Sequence, residues 1–221
     1  MTRKDLTELV LVLDRSGSMA SCVKDMEGGA AQLIQDQKDD PGDVNVTYVR
    51  FDDVVDVVYQ GVDINEIGVI KLEPRGMTAL YDGIGIAIQK TGERLASLPE
   101  HDRPGLVIVA IMTDGFENVS RMFDARKINE MIKHQTEKYG WQFTYLGANQ
   151  DSFAVGSSLG IDAGKISNYN VENSVHAFVG ASNLMRSMKS AVMDNMSLEA
   201  CSYLDEDREA MVDNKAKQIK S

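Results

Sequence analysis

Three observations predict a three-layer α/β sandwich. Compact apolar runs at 8–13 and 106–112 break off abruptly, the first at Asp14 and the second at Thr113-Asp114-Gly115. Runs this continuous suit strands buried on both faces. Segments with apolar residues at helical spacing alternate with such runs almost throughout, the pattern of a mostly parallel sheet covered on both sides. Between 44–51 and 54–59 there is room only for Asp52-Asp53, so these two strands form an antiparallel hairpin and place one reversed strand at a sheet edge.

Taken in order, the first strand (8–13) leads into the turn Asp14-Arg15-Ser16-Gly17-Ser18. Val23, Met26, Ala30, Leu33, Ile34 and Gln37 then recur at helical spacing until Pro41-Gly42 stops the helix. After the hairpin, a loop over 61–77 leads to Thr78 and a second helix with Leu80, Ile84, Ala87, Ile88 and Leu95 facing inward. Pro104-Gly105 precedes the most apolar strand. A third helix over 124–139, a strand over 141–146, a short helix over 151–159 and a short edge strand over 165–169 follow. The segment 171–192 is amphipathic through Val175, Phe178, Val179, Ser182, Met185 and Val192. The expected architecture is Rossmann-like: about six strands, one of them antiparallel at an edge, with helices on both faces. Residues 1–193 form the domain, and 194–221 form a C-terminal extension, either a last helix packed on the domain or a mobile tail.

Composition narrows the function. Hydrophobic residues at 43% and charged residues at 26% describe a globular chain. A net charge of −11 argues against nonspecific nucleic-acid binding, because nothing would neutralise phosphates at long range. No stretch reaches the ~20 apolar residues of a membrane span. The start, MTRKDLTELVLVLD, has a short apolar run broken by Thr7 and Glu8, and reads as a strand rather than a signal peptide. Cys22 and Cys201 are far apart and in no metal spacing, as two free thiols in a reducing compartment would be. The expected location is the cytoplasm.

In open α/β sheets, ligands bind beyond the carboxyl ends of the strands. Three segments deliver oxygen side chains there: Asp14, Ser16 and Ser18 after the first strand, Thr78 before the second helix, and Asp114 after the strand 106–112. Hydroxyls and carboxylates, with no imidazole or thiolate among them, select Mg²⁺, Mn²⁺ or Ca²⁺ over zinc. Other polar residues read as structural. Asp82 suits a helix N-terminal acid and Asp52-Asp53 a turn, while His101, His134 and His176 belong to the surface or a helix face. Cys22 reads as a small buried residue, and the methionines mostly as core filling.

Asp14-x-Ser16-x-Ser18, Thr78 within GMTALYDGI, and Asp114 within IMTDGFEN resemble the metal-ion-dependent adhesion site of von Willebrand factor A-type domains, with all five ligand positions matched. By element order the resemblance covers about residues 6–192. Arg15 fills a variable position, Met77 replaces a glycine often found there, and the segment after Asp194 has no counterpart. The resemblance implies that Ser16 and Ser18 hold Mg²⁺ directly, that Thr78 does so in a high-affinity state, and that Asp14 and Asp114 act largely through water. With few carboxylates on the ion, its charge stays incompletely neutralised, and a partner's Asp or Glu completes the six oxygens Mg²⁺ prefers. Thr78, in a loop whose movement costs little packing, is then the ligand expected to change between states.

The function expected is therefore a metal-dependent protein-binding module rather than an enzyme. One alternative context is a subunit of a larger ATPase-linked or stress-response assembly of the tellurium-resistance kind. A weaker alternative is metal-dependent phosphoryl transfer of the haloacid-dehalogenase type. That chemistry needs a second carboxylate two residues after the nucleophile, where this chain has Ser16, and the chain carries no P-loop and no GxGxxG after a strand.

Overall fold

The computed structural model describes residues 2–213. A six-stranded sheet forms its middle layer, in the order β3-β2-β1-β4-β5-β6. The strands are β1 (Arg3–Asp14), β2 (Asp43–Phe51), β3 (Val55–Asp63), β4 (Pro104–Thr113), β5 (Gln142–Gly147) and β6 (Ile166–Asn168). All neighbours are parallel except β2 and β3, so the reversed strand sits at an edge as the hairpin predicts. The helices are α1 (Val23–Asp39), α2 (Leu80–Ser97), α3 (Ala125–Tyr139), α4 (Ser152–Ser158), α5 (Ser174–Met193) and α6 (Asp205–Val212).

The apolar run of β1 divides by pleat parity into two cores. Leu9, Leu11 and Leu13 pack with α1 and α5 residues such as Met26, Leu33, Phe178 and Met185. Val10 and Val12 face the opposite layer with Ile84 and Ile88 of α2 and Ile128 and Ile132 of α3. A strand covered on both sides has no polar face to alternate, which is why its sequence shows no period of two.

The extension after α5 packs back onto the domain. Cys201, Tyr203 and Met211 are buried in the α1/α5 core, and the Tyr203 hydroxyl lies 2.6 Å from Thr144 Oγ1 on β5. The described part of this extension contains a short 3-10 turn (Leu198–Ala200) and α6 joined by irregular chain; residues 214–221 fall outside the described residues. Among the described residues no helix is long and apolar enough to cross a membrane.

Candidate metal site at the sheet switch point

After β1 the chain moves through β2 to β3 on one side, then returns to place β4 on the other side of β1. The connections leaving β1 and β4 therefore diverge and open a crevice beyond their carboxyl ends. Asp14 is the last residue of β1, and Asp114 follows the last residue of β4.

The predicted oxygens meet in this crevice. Asp14 Oδ1 accepts the Ser16 backbone N–H at 2.7 Å and its Oδ2 accepts the Thr113 hydroxyl at 2.6 Å. Ser16 Oγ lies 3.0 Å from Ser18 Oγ, which donates to Asp114 Oδ1 at 2.6 Å. Thr78 closes the circle through Gly115: a Cβ on that glycine would stand 3.1 Å from Thr78 Oγ1 and 3.8 Å from Ser18 Oγ. Asp14, Ser16, Thr78 and Asp114 are buried, whereas Ser18 is exposed and opens the cluster to solvent. Beside it runs a groove of about 540 Å³ lined by Ser18, Ser21, Cys22, Asp25, Asp114 and Asn149, among others.

The carboxylates of this cluster differ from other buried ones in the fold. Glu8 and Asp52, both fully buried, are paired with arginine, Glu8 with Arg94 and Asp52 with Arg15 and Arg75. Asp82 accepts the backbone N–H groups of Arg121, Met122 and Phe123, each at 2.9 Å. Asp14 and Asp114 have no Lys, Arg or His ion-pair partner among the described residues; burial pushes Asp14 up to about 6 and raises Asp114 above the usual carboxylate range. The Thr113 and Ser16 hydrogen bonds pull Asp14 the other way, as the Ser18 bond does for Asp114, without cancelling the desolvation. Uncompensated buried carboxylates facing serine and threonine hydroxyls form a donor set suited to a hard divalent cation. Among the described residues no three His, Cys, Asp or Glu side chains cluster so as to hold a metal by themselves, so the hydroxyls are essential to any such site.

Two scaffolds hold the cluster. The β1 turn is braced by the ends of β2 and of the loop before α2. Arg15 N donates to Phe51 O at 2.8 Å, Arg75 N to Arg15 O at 2.9 Å and Gly17 N to Gly76 O at 3.2 Å. Arg15, the variable position of the motif, is buried with its Nε 3.0 Å from Asp52 Oδ2. That Nε makes no well-directed hydrogen bond, so the attraction is chiefly electrostatic. Arg75 Nε donates to the same oxygen at 2.7 Å. Gly76 has φ +64, and a Cβ there would land on Asp53 Oδ1, so the turn requires glycine. Asp52 thus serves as a turn residue, as expected, and as the anchor of a buried ion cluster that local sequence patterns do not reveal.

The second scaffold is the 115–124 loop, stitched to the start of α2. Asn118 brackets Thr78, its Oδ1 accepting Thr78 N and its backbone N donating to Thr78 O, both at 3.0 Å. Ala79 offers no side-chain cap to α2. Instead Glu117 accepts Tyr81 N at 3.0 Å and Ser120 Oγ accepts Asp82 N at 3.1 Å, satisfying N–H groups a helix start leaves open. Asp82 returns the bonds to 121–123, beyond the helix-terminal role expected of it. Thr78 is consequently buried and held on both sides, so moving it costs hydrogen bonds as well as packing.

Other residues lie where the sequence places them. Cys22 is buried next to the site, with its thiol raised to about 11 chiefly by burial and then by Asp114, and the three histidines are exposed.

No protein-family model and no curated protein sequence matches the chain. Among solved structures, it is similar to proximal thread matrix protein 1 from the mussel byssus with a zinc-occupied metal-ion-dependent adhesion site: 16% identity, TM-score 0.56, covering 81% of this chain and 46% of that one. It is similar to a von Willebrand factor type A protein from Catenulispora acidiphila, at 15% identity and TM-score 0.52 over 85% of this chain and 42% of that one. A third is the manganese-loaded TRAP protein of Plasmodium vivax, at 14% identity and TM-score 0.52 over 81% of this chain and 74% of that one. The chain spans less than half the length of the first two. At these identities the likeness establishes the fold, and this chain has the α/β fold of von Willebrand factor A-type domains.

Proposed function

We propose that this chain is a divalent-metal-dependent protein-binding module and not an enzyme. The observation that carries the reading is the pair of buried carboxylates, Asp14 and Asp114, facing Ser16, Ser18 and Thr78 with no cationic side chain among the described residues to neutralise them. Mg²⁺ suits this donor set, with Mn²⁺ or Ca²⁺ as substitutes. Ser16, Ser18 and Thr78 are the proposed direct ligands, and Asp14 and Asp114 supply negative charge around them, largely through water. The ion would supply Lewis acidity toward a carboxylate oxygen. Exposure at Ser18 leaves room for an Asp or Glu of a protein partner to reach it. Zinc at the metal-ion-dependent adhesion site of the mussel protein, and the manganese loading of the Plasmodium protein, support a divalent ion in this fold.

No nucleophile–base pair accompanies the cluster, so phosphoester turnover is not expected. Calorimetry with Mg²⁺ and Mn²⁺ tests the assignment. One ion should bind the wild type, and Asp14→Ala and the Ser16→Ala/Ser18→Ala pair should each bind far more weakly. Equal affinity in all three would sink it.

A further inference from the structure

Most methionine and phenylalanine side chains of this fold are interior, among them Met19, Met26, Met185, Phe51 and Phe178. Five described ones are exposed instead: Met193 and Met196 follow α5 near the start of β1, whereas Met77, Phe116 and Met122 sit on the loops around the candidate metal site. Met77 is 52% exposed, Phe116 62% and Met122 64%. Met77 immediately precedes Thr78. Phe116 follows Gly115, where a Cβ would stand 3.1 Å from Thr78 Oγ1, and Asn118 joins that loop to Thr78 through two bonds. Met122 is fixed through its backbone N–H to Asp82. Isolated exposed apolar side chains need no explanation, but these lie on two loops whose backbone is hydrogen-bonded in place at Gly76, Thr78, Asn118 and Met122. Loops held this way present apolar surface with little backbone ordering cost at the moment of binding.

Charge points in the same direction. The protein carries −11, so a strongly acidic partner is repelled at long range even though one of its carboxylates is wanted at the site. Affinity for such a partner has to come from contacts other than net charge. Resting on the metal-site reading above, we infer that the partner is a protein segment presenting a single carboxylate flanked by apolar side chains. Those side chains pack on Met77 and Phe116 while the carboxylate enters the cluster. The same charge disfavours an acidic run.

The test uses the full chain loaded with Mg²⁺ and four blocked tripeptides, titrated by NMR chemical shifts: Leu-Glu-Phe, Ser-Glu-Ser, Glu-Glu-Glu and Leu-Gln-Phe. Leu-Glu-Phe should bind about tenfold or more tightly than each of the others, the worth of burying one to two apolar side chains. In Met77→Ser/Phe116→Ser that advantage should vanish while Mg²⁺ affinity stays at the wild-type value, because neither side chain is among the proposed ligands. Raising salt from about 0.05 to 0.5 M should leave the ratio of Leu-Glu-Phe to Ser-Glu-Ser affinity unchanged or raise it, since the carboxylate contact with the ion is common to both and only the apolar contacts differ. Ser-Glu-Ser or Glu-Glu-Glu binding as tightly as Leu-Glu-Phe would overturn the inference, as would an advantage that survives in the double variant or one that collapses with salt. A wild type that binds no Mg²⁺ would remove the metal-site reading, and this inference with it. Mg²⁺ binding without any Leu-Glu-Phe advantage would remove this inference alone.

Discussion

Strand β1 carries two fully buried carboxylates, Glu8 toward its start and Asp14 at its end, and the fold treats them in opposite ways. Glu8 accepts the Thr47 hydroxyl at 2.7 Å and is paired with the Arg94 guanidinium. Asp14 has two hydrogen bonds, hydroxyl neighbours, and no cation among the described residues. Burial pushes both carboxyls up, so sequestration from water is common to the two. The difference lies in who supplies the positive charge. At Glu8 the chain supplies it and the result is architecture; at Asp14 no described residue supplies it, and an ion from solution is the proposed complement.

The largest effect should come from breaking the self-sufficient end. Arg94→Ala strands Glu8 as an unpaired buried charge and should lower unfolding stability by about 3 kcal/mol in chemical denaturation. Adding Glu8→Gln should recover part of that loss, because the amide carries no charge. If Arg94→Ala costs nothing, the pairing is not what makes burial of Glu8 tolerable.

The same kind of neutralisation at the other end should have the reverse sign. Asp14→Asn keeps an acceptor for Ser16 N, and the Thr113 hydroxyl can turn to Gly115 O, 3.2 Å away. Without divalent metal this variant should match the wild type or gain about 1–2 kcal/mol at neutral pH. It should also lose Mn²⁺ affinity by roughly 100-fold, within the range that structural disturbance of metal sites produces. A metal-free Asp14→Asn that is markedly destabilised would erase the contrast between the two ends.

A smaller effect is expected from Asn118→Ala, which removes the side-chain acceptor of Thr78 N. The expected loss is about 1 kcal/mol of stability, with a several-fold fall in Mn²⁺ affinity and faster hydrogen exchange at the Thr78 amide. Asn118→Asp, which keeps the acceptor, should restore slow exchange. Unchanged exchange in Asn118→Ala would show that the rest of the loop positions Thr78 unaided.

The mildest probe is pH. Asp14 is raised to about 6 in the metal-free fold, above its ordinary value of 3.8, so its ionisation opposes folding. That penalty is absent below the ordinary value and complete above about 6. Divalent metal requires the carboxylate and lifts the penalty, so metal affinity should fall by up to about tenfold per pH unit below 6. Melting curves with and without Mn²⁺ should accordingly separate more at about pH 7 than at about pH 5. Equal separation at both would mean that Asp14 is not the group linked to the metal.

What the sequence determined by itself was the element order and the placing of the oxygens. Two-sided burial leaves long apolar runs, helices leave their spacing, and a two-residue gap leaves a hairpin; each is a local signal. The five candidate ligands were legible for the same reason, since each stands at an abrupt end of an apolar run or just before a helix. The tertiary structure alone decided what surrounds them. Nothing near Arg15 in the sequence announces that it pairs with Asp52, and nothing near Asn118 announces that it brackets Thr78 forty residues earlier. Whether the segment after Asp194 would pack or stay loose was equally undecided, because its apolar residues are sparse; its burial depends on Met211 and Tyr203 meeting surfaces built by α5 and β5. The missing cation at Asp14 is the clearest case. Charge neutralisation is a property of neighbours in space, and a chain reveals it when the sheet has closed and every arginine has found its place.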